Sequence, residues 1–238
     1  MKCLNKIFIL VFVSASILFS QYNKNNFAVE INAVYTTNAR IFFYPNSSDP
    51  ILRNNSFPLG GVVNPAISFR YKILNSLILG INSGYMTKTS SGYNLTAFSG
   101  DSTISVLVKD GFSMIPIELS LHYVLPFSTG DFKFMMGGGI GYYFGSQIRN
   151  IGNDKVTNIE RKFSYGIQVS VGMDYLLTKN LGLHSEMKFR DPQFEVISKY
   201  LHNNVMYDGK KIRIAQNSFD SKINVYGITF ILGAVFYF

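Results

Sequence analysis

Hydrophobic and polar residues alternate along most of this chain, and the alternation falls into eight segments. The cleanest runs from Phe163 to Tyr175, where Phe163, Tyr165, Ile167, Val169, Val171, Met173 and Tyr175 alternate with Ser164, Gly166, Gln168, Ser170, Gly172 and Asp174. A period of two puts the two sets on opposite faces of a β-strand. The segment Tyr226 to Phe238 behaves alike: Tyr226, Ile228, Phe230, Leu232, Ala234, Phe236 and Phe238 make one apolar face, which needs an apolar solvent. Its other face mixes Gly, Thr and aliphatic residues that suit a crowded interior. The remaining predicted strands cover about Phe27 to Thr36, Val62 to Ile73, Leu77 to Met86, Ile115 to Tyr123, Phe132 to Gly145 and Leu181 to Arg190.

The connections alternate in length. Short turns are expected at Leu74-Asn75-Ser76, Ser128-Thr129-Gly130-Asp131 and Thr178-Lys179-Asn180. Long ones run from Asn38 to Gly60, around Ser99-Gly100-Asp101, from Gln147 to Lys162 and from Asp191 to Ser221, and the first, third and fourth read as polar loops. Around Ser99-Gly100-Asp101 the flanking residues still alternate, so a two-stranded ribbon should continue there, and the last loop should hold a hairpin at Asp208-Gly209. Aromatics gather near both strand ends, with Tyr35, Tyr85, Tyr142, Phe189 and Tyr226 at one and Phe27, Tyr71, Tyr123, Tyr175 and Phe236 at the other, as two interfacial girdles would require. The expected fold class is therefore all-β: a transmembrane, antiparallel, up-and-down β-barrel of eight strands. The even count puts both strand termini with the short turns on the periplasmic side.

Composition narrows the alternatives. Only 15% of the 238 residues are charged, and 15% are aromatic. The mean hydropathy of +0.14 is too high for an ordinary soluble domain and too low for a helical membrane protein. Residues 1–20 read as a signal peptide, with Lys2 and Lys6 before an apolar core from Ile7 to Phe19 and the small Ser20 at its end. That core falls short of the roughly 20 residues a transmembrane helix needs. Cys3 precedes it, which argues against a lipoprotein anchor, and its loss would leave no thiol for a disulfide or a metal. The domain division is then a signal peptide over 1–20 and a barrel over 21–238, and the formal charge falls from +8 to +6.

The alternating pattern over the mature chain, with the I-P-I entry at Ile115 to Ile117, the GGGIGYYFG run at Gly137 to Gly145 and the final Phe238, resembles the small eight-stranded outer-membrane β-barrel family of the OmpA-barrel and OmpX type. The resemblance implies Sec export to the outer membrane of a Gram-negative-type cell. It further implies contact with outer-membrane lipids including lipopolysaccharide, recognition by the outer-membrane insertion machinery, and a monomer. Phe230, Leu232, Phe236 and Phe238 would supply the insertion signal. The pattern departs from the family in that no soluble peptidoglycan-binding domain is expected after the barrel, and it carries no catalytic motif.

Candidate chemistry lies on the inward faces, where Glu30, Arg70, Lys72, Glu118, His122, Lys133, Asp174, His184, Glu186, Lys188 and Arg190 are expected. An ion path is one reading. A set of internal ion pairs is the one we take, because eight strands enclose a space that side chains fill. Glu30 and Arg70, on neighbouring strands at similar depth, are expected to pair. His184-Ser185-Glu186 invites a hydrolase reading, since lipid A deacylases and acyltransferases also use eight-stranded barrels, but alternation turns Ser185 toward lipid. No catalytic residue, cofactor or metal is therefore assigned, since no His pair or carboxylate cluster has ligand spacing. The basic surplus is placed on outer loops (Arg149, Lys155, Arg161, Lys162, Lys210, Lys211, Arg213), at the height of lipopolysaccharide phosphates, and not on a nucleic-acid surface. The function expected is structural or surface-interactive through the long loops. A small passive pore is the alternative and a lipid A-modifying enzyme the second.

Overall fold

The structure is a computed structural model and describes residues 26–152 and 154–238. The signal peptide assigned to 1–20, with Cys3, lies outside the described residues. In chain order the elements are β1 (Phe27–Phe42), α1 (Pro50–Asn54), β2 (Ser56–Pro58), β3 (Val62–Leu74), β4 (Leu77–Gly84), β5 (Met86–Ser99), β6 (Ser102–Val124), β7 (Phe132–Ile151), β8 (Asp154–Arg161), β9 (Tyr165–Leu176), β10 (Leu181–Arg190), β11 (Gln193–Tyr200), β12 (Asn204–Tyr207), β13 (Lys210–Ile214) and β14 (Ser218–Tyr237). The single turn of α1 starts where Asp49 accepts a hydrogen bond from the Ile51 amide at 2.9 Å, with Pro50 at its first position.

Eight strands close a ring in the order β1-β3-β4-β6-β7-β9-β10-β14, every neighbour antiparallel, and β14 returns to β1 with Ala28 opposite Tyr237. The three expected short turns lie at one end, here the lower end, beside the start of β1 and the finish of β14. Each ring strand presents a large apolar side chain outward at mid-height: Ile31, Ile67, Ile81, Leu119, Ile140, Ile167, Leu183 and Leu232. Such a belt of exposed hydrocarbon around a closed ring is what a bilayer solvates and water does not. No helix among the described residues is long and apolar enough to cross a membrane. The aromatic girdles frame the belt, with Phe27 against Tyr71 at 5.0 Å and Phe132 against Tyr175 at 4.7 Å below, and Tyr142 against Phe163 at 4.7 Å above.

Above the belt the wall continues. A spanning strand needs about 9–11 residues, yet β6 has 23 and β7 and β14 have 20 each. The ribbon expected around Ser99-Gly100-Asp101 is β5 paired with β6. The hairpin expected at Asp208-Gly209 is β12 paired with β13, and both turn residues have positive φ, 50° and 74°, as a type I′ turn requires. The stretches read as polar loops need correction. Gln147 to Lys162 holds the top of β7 and β8, and Asp191 to Ser221 holds β11, β12, β13 and the start of β14. β8 pairs with β7 and β11, and β11 with β14, so the wall rises as β7-β8-β11-β14 where β9 and β10 stop. Asn38 to Gly60 is likewise part strand, since β1 runs on to Phe42 and β2 pairs with it.

The reason is visible on β6. Its outward residues are Ile115, Ile117, Leu119 and Leu121 in the belt but Thr103, Ser105 and Lys109, with Leu107 among them, above it, while its inward residues change from Glu118 and Ser120 to Val106, Val108, Phe112 and Met114 around the buried Asp110. The geometry alternates without a break, and the polarity of the two faces reverses at the upper girdle. A polar outward face above the membrane is solvated strand, which composition alone reads as loop.

Candidate functional site

The lumen is filled in layers, and its side chains come from alternate positions of the ring strands. Lowest is a cluster around Arg70. Its guanidinium forms an ion pair with Glu30, reaches Asp174 at 2.9 Å and lies 3.0 Å from Nδ1 of His184. Asp174 also meets His184 at 2.7 Å and accepts the Tyr237 hydroxyl. Glu186 lies 3.4 Å from His184 and 3.7 Å from His122. Asn32 donates to Glu30 and to Ser68, at 3.2 Å each. One turn of the pleat higher, Glu118 receives Lys188 at 3.1 Å and pairs with Arg190.

Of the eleven inward ionisable residues assigned from sequence, Glu30, Arg70, Glu118, Asp174, His184, Glu186, Lys188 and Arg190 are buried and lie in these two clusters, with the part-buried His122 beside Glu186. Lys72 and Lys133 are only half-buried. They line the lower mouth, and no carboxylate among the described residues is within ion-pair distance of either. Donor atoms of Glu30, Asp174 and His184 come within 4.8 Å of one another, which linear spacing had not indicated because they arrive from β1, β9 and β10. Arg70 already bonds all three, so the group is an ion-pair cluster that holds its own cation. Ser185 faces outward, away from His184 and Glu186. A cavity between the two clusters, bounded by Glu30, Arg70, Ser120, His122 and Lys188, has about 10 Å³, which is about one water's worth.

Above Glu118 the filling becomes hydrocarbon. Ile41, Val62, Met86, Phe112, Phe194 and Ile223 form one contiguous apolar cluster across the lumen. Phe112 and Phe194 meet edge-on at 6.2 Å, and Gly145 has no side chain because a Cβ there would enter the Phe194 ring. Higher again, Val106, Val108, Ile151, Tyr200, Ile212 and Phe219 form a second cluster.

Between the two apolar clusters lies one buried ion pair that the sequence reading missed. Arg149, placed there among exposed loop cations, is 4% exposed, and Asp110 is fully buried. Arg149 donates from Nε to Asp110 at 2.6 Å and from Nη2 at 3.1 Å, and from Nη1 to the Tyr200 hydroxyl at 3.0 Å. Its guanidinium lies 4.4 Å from the Phe43 ring centre and 4.7 Å from that of Phe219. Burial by itself lowers the pKa of this guanidinium, but Asp110 more than reverses that and holds it above its ordinary value. Burial pushes the Tyr200 phenol up, opposed in part by Arg149. The available signal was parity: counting in twos from Tyr143 puts Arg149 on the inward face. The other basic residues assigned to the upper end remain at its surface, where Lys162 pairs with Glu195 at 2.6 Å.

Beside Arg149 a cavity of about 210 Å³ opens at the upper end, bounded by Tyr44, Asn94, Phe98, Tyr200, Gln216 and Phe219. Its aromatic faces alternate with amide groups, and its one cation is neutralised by Asp110. It therefore offers stacking surfaces and neutral hydrogen-bonding groups to an occupant of low net charge.

No protein-family model matches the chain, and no curated protein matches its sequence. Among solved structures, the outer membrane protein OprG from Pseudomonas aeruginosa is similar over 90% of this chain and 96% of its own, with a TM-score of 0.61 and 11% identity. Outer Membrane Protein W of E. coli aligns over 92% of this chain and all of its own, with a TM-score of 0.44 and 13% identity. The fold comparison rests on the first. This chain has the fold of a small eight-stranded outer-membrane β-barrel.

Proposed function

We propose that this protein resides in the outer membrane of a Gram-negative-type cell as a non-conducting barrel whose upper end, facing outward, carries a surface-interaction function. The observation behind this is the lumen: two layers of paired charge fill it around a cavity of about 10 Å³, and an apolar layer lies across the passage above. The upper end is built differently, as a folded extension with its own hydrophobic core, a cavity of about 210 Å³ and exposed cations around its rim. Lys162 and Arg161 stand just above the aromatic girdle, in reach of lipopolysaccharide phosphates. Phe230, Leu232 and Phe236 on the outward face of β14, with Phe238 beyond its end, suit a signal read by the insertion machinery, and insertion as a monomer is expected. The outward direction of Ser185 favours a non-enzymatic role.

Purified protein in a planar bilayer should give no large, steady conductance; a stable porin-sized current from the monomer would overturn the proposal. A variant lacking Asn204 to Ile214, the hairpin at the upper end, should still insert but lose surface attachment of the cells that carry it.

A further inference from the structure

We infer that the lower mouth of the barrel is a binding site for a phosphate group, held between the ammonium groups of Lys72 and Lys133. The two lysines come from β3 and β7 and line one cavity of about 270 Å³, whose wall also includes Asn26, Asn75 and Tyr237. Everywhere else in the spanning lumen each cation has a carboxylate against it: Arg70 has Glu30 and Asp174, and Lys188 and Arg190 have Glu118. Lys72 and Lys133 have none within ion-pair distance among the described residues. Asp174 lies opposite Lys133 in the strand register, but its oxygens are already taken by Arg70, His184 and Tyr237.

The position of Lys133 is built. Its ammonium lies 4.4 Å from the centre of the Tyr237 ring, and Tyr237 is fixed by its hydroxyl bond to Asp174, so the charge is held in the mouth and not spread into solvent. Two unpaired, half-buried ammonium groups facing a concavity with Phe27, Ala28 and Ile78 in its walls create a focused positive potential, because hydrocarbon walls screen less than water. Such a site favours an anion that spreads two charges over several oxygens, and lysine binds phosphate as a point charge without demanding a planar partner. Asn26 and Asn75 add hydrogen-bonding amides on the same rim. The ligand is thus a phosphate group approaching from the short-turn side, either on a soluble phosphate monoester or on a lipid headgroup. This inference rests on the barrel fold alone and stands apart from the proposed role of the upper end.

The test is calorimetric titration of the full chain, folded in uncharged maltoside micelles at low ionic strength, with glycerol 3-phosphate and with inorganic phosphate. One saturable site is expected, weakened about tenfold, the equivalent of one charge-assisted hydrogen bond, by Lys72→Gln or by Lys133→Gln. It should be abolished in the double variant and unchanged by Lys210→Gln at the far end. Displacement of glycerol 3-phosphate by phosphatidic acid, a lipid that carries a phosphate monoester, in mixed micelles would assign the site to a headgroup, and failure to displace would assign it to a soluble monoester. As a measurement free of variants, saturating phosphate should protect Lys72 and Lys133 of the wild-type barrel from acetylation, read by mass spectrometry. Absence of saturable binding, binding that survives in the folded double variant, or no protection of either lysine would overturn the inference.

Discussion

The barrel has two interiors, and they are opposites. Within the apolar belt, charge is inside and hydrocarbon outside; above it, hydrocarbon is inside and the polar groups face water. The same strands build both, since β6, β7 and β14 run from one region into the other, β14 past an irregularity at Gly227 where its register with β1 shifts. On β14 the outward residues change from Phe230 and Leu232 to Asp220 and Lys222, while the inward ones include Val235 and Ile231 below and Phe219 and Ile223 above. A strand does not decide which face is polar. The surrounding solvent decides, and the backbone supplies only the alternation.

The contrast predicts different sensitivities to substitution. The largest effect is expected at Arg70, which pairs with both Glu30 and Asp174. Arg70→Leu leaves two buried carboxylates short of their cation and should destabilise the inserted barrel by about 3 to 5 kcal/mol, the cost of removing one partner from a buried pair. Urea unfolding in lipid vesicles reads this directly, and an effect below that of a surface substitution would remove the case for a charge-packed lower lumen.

Next is the lipid face. Leu232 is 63% exposed at mid-height, so Leu232→Arg should cost about 2 to 4 kcal/mol. Thr229→Ser on the same strand should be mild, because the Thr229 hydroxyl meets that of Thr36 at 2.9 Å and serine keeps the bond. Equal effects at the two positions would mean that the faces of β14 are misassigned.

The smallest effect is expected at Tyr200 in the upper core, where Phe retains the ring packed on Phe219 at 5.1 Å and loses only the hydrogen bond to Arg149. Tyr200→Phe should cost about 1 kcal/mol. The loss should appear as faster proteolysis of the upper extension, with the unfolding of the membrane-level ring unchanged. A loss shared equally by both regions would show that they unfold as one unit.

The two regions were unequally legible in the sequence. All eight ring strands follow from the period-two pattern, because a belt that must be apolar leaves a residue such as Ile167 or Leu119 no alternative face. The pairing of Glu30 with Arg70 follows from adjacency and depth. His184 and Asp174 meeting Arg70 does not, since that contact crosses the lumen from β10 and β9 to β3, and no linear spacing encodes it. The upper region was harder for a physical reason. Its outward residues are as polar as those of a loop, so β8 and β11 look like connections until Val156 of β8 and Phe194, Val196 and Tyr200 of β11 are seen to face a core. Arg149 was misplaced by the same logic: a cation in a polar stretch reads as solvated unless its parity is followed from Tyr143.

The seam between β1 and β14 has a consequence in time. Ala28 and Tyr237 are neighbours in space but roughly 200 residues apart along the chain, and closing so long a loop has an entropy cost that only the completed seam can offset. Until β14 docks, β1 and β10 each present an unpaired edge within the bilayer, where backbone amides find no water. The ring should therefore form late and cooperatively, as a zipper with one final clasp, and a defect at the seam such as Ala33→Pro, opposite Leu232, should slow insertion far more than it lowers the stability of the barrel once formed.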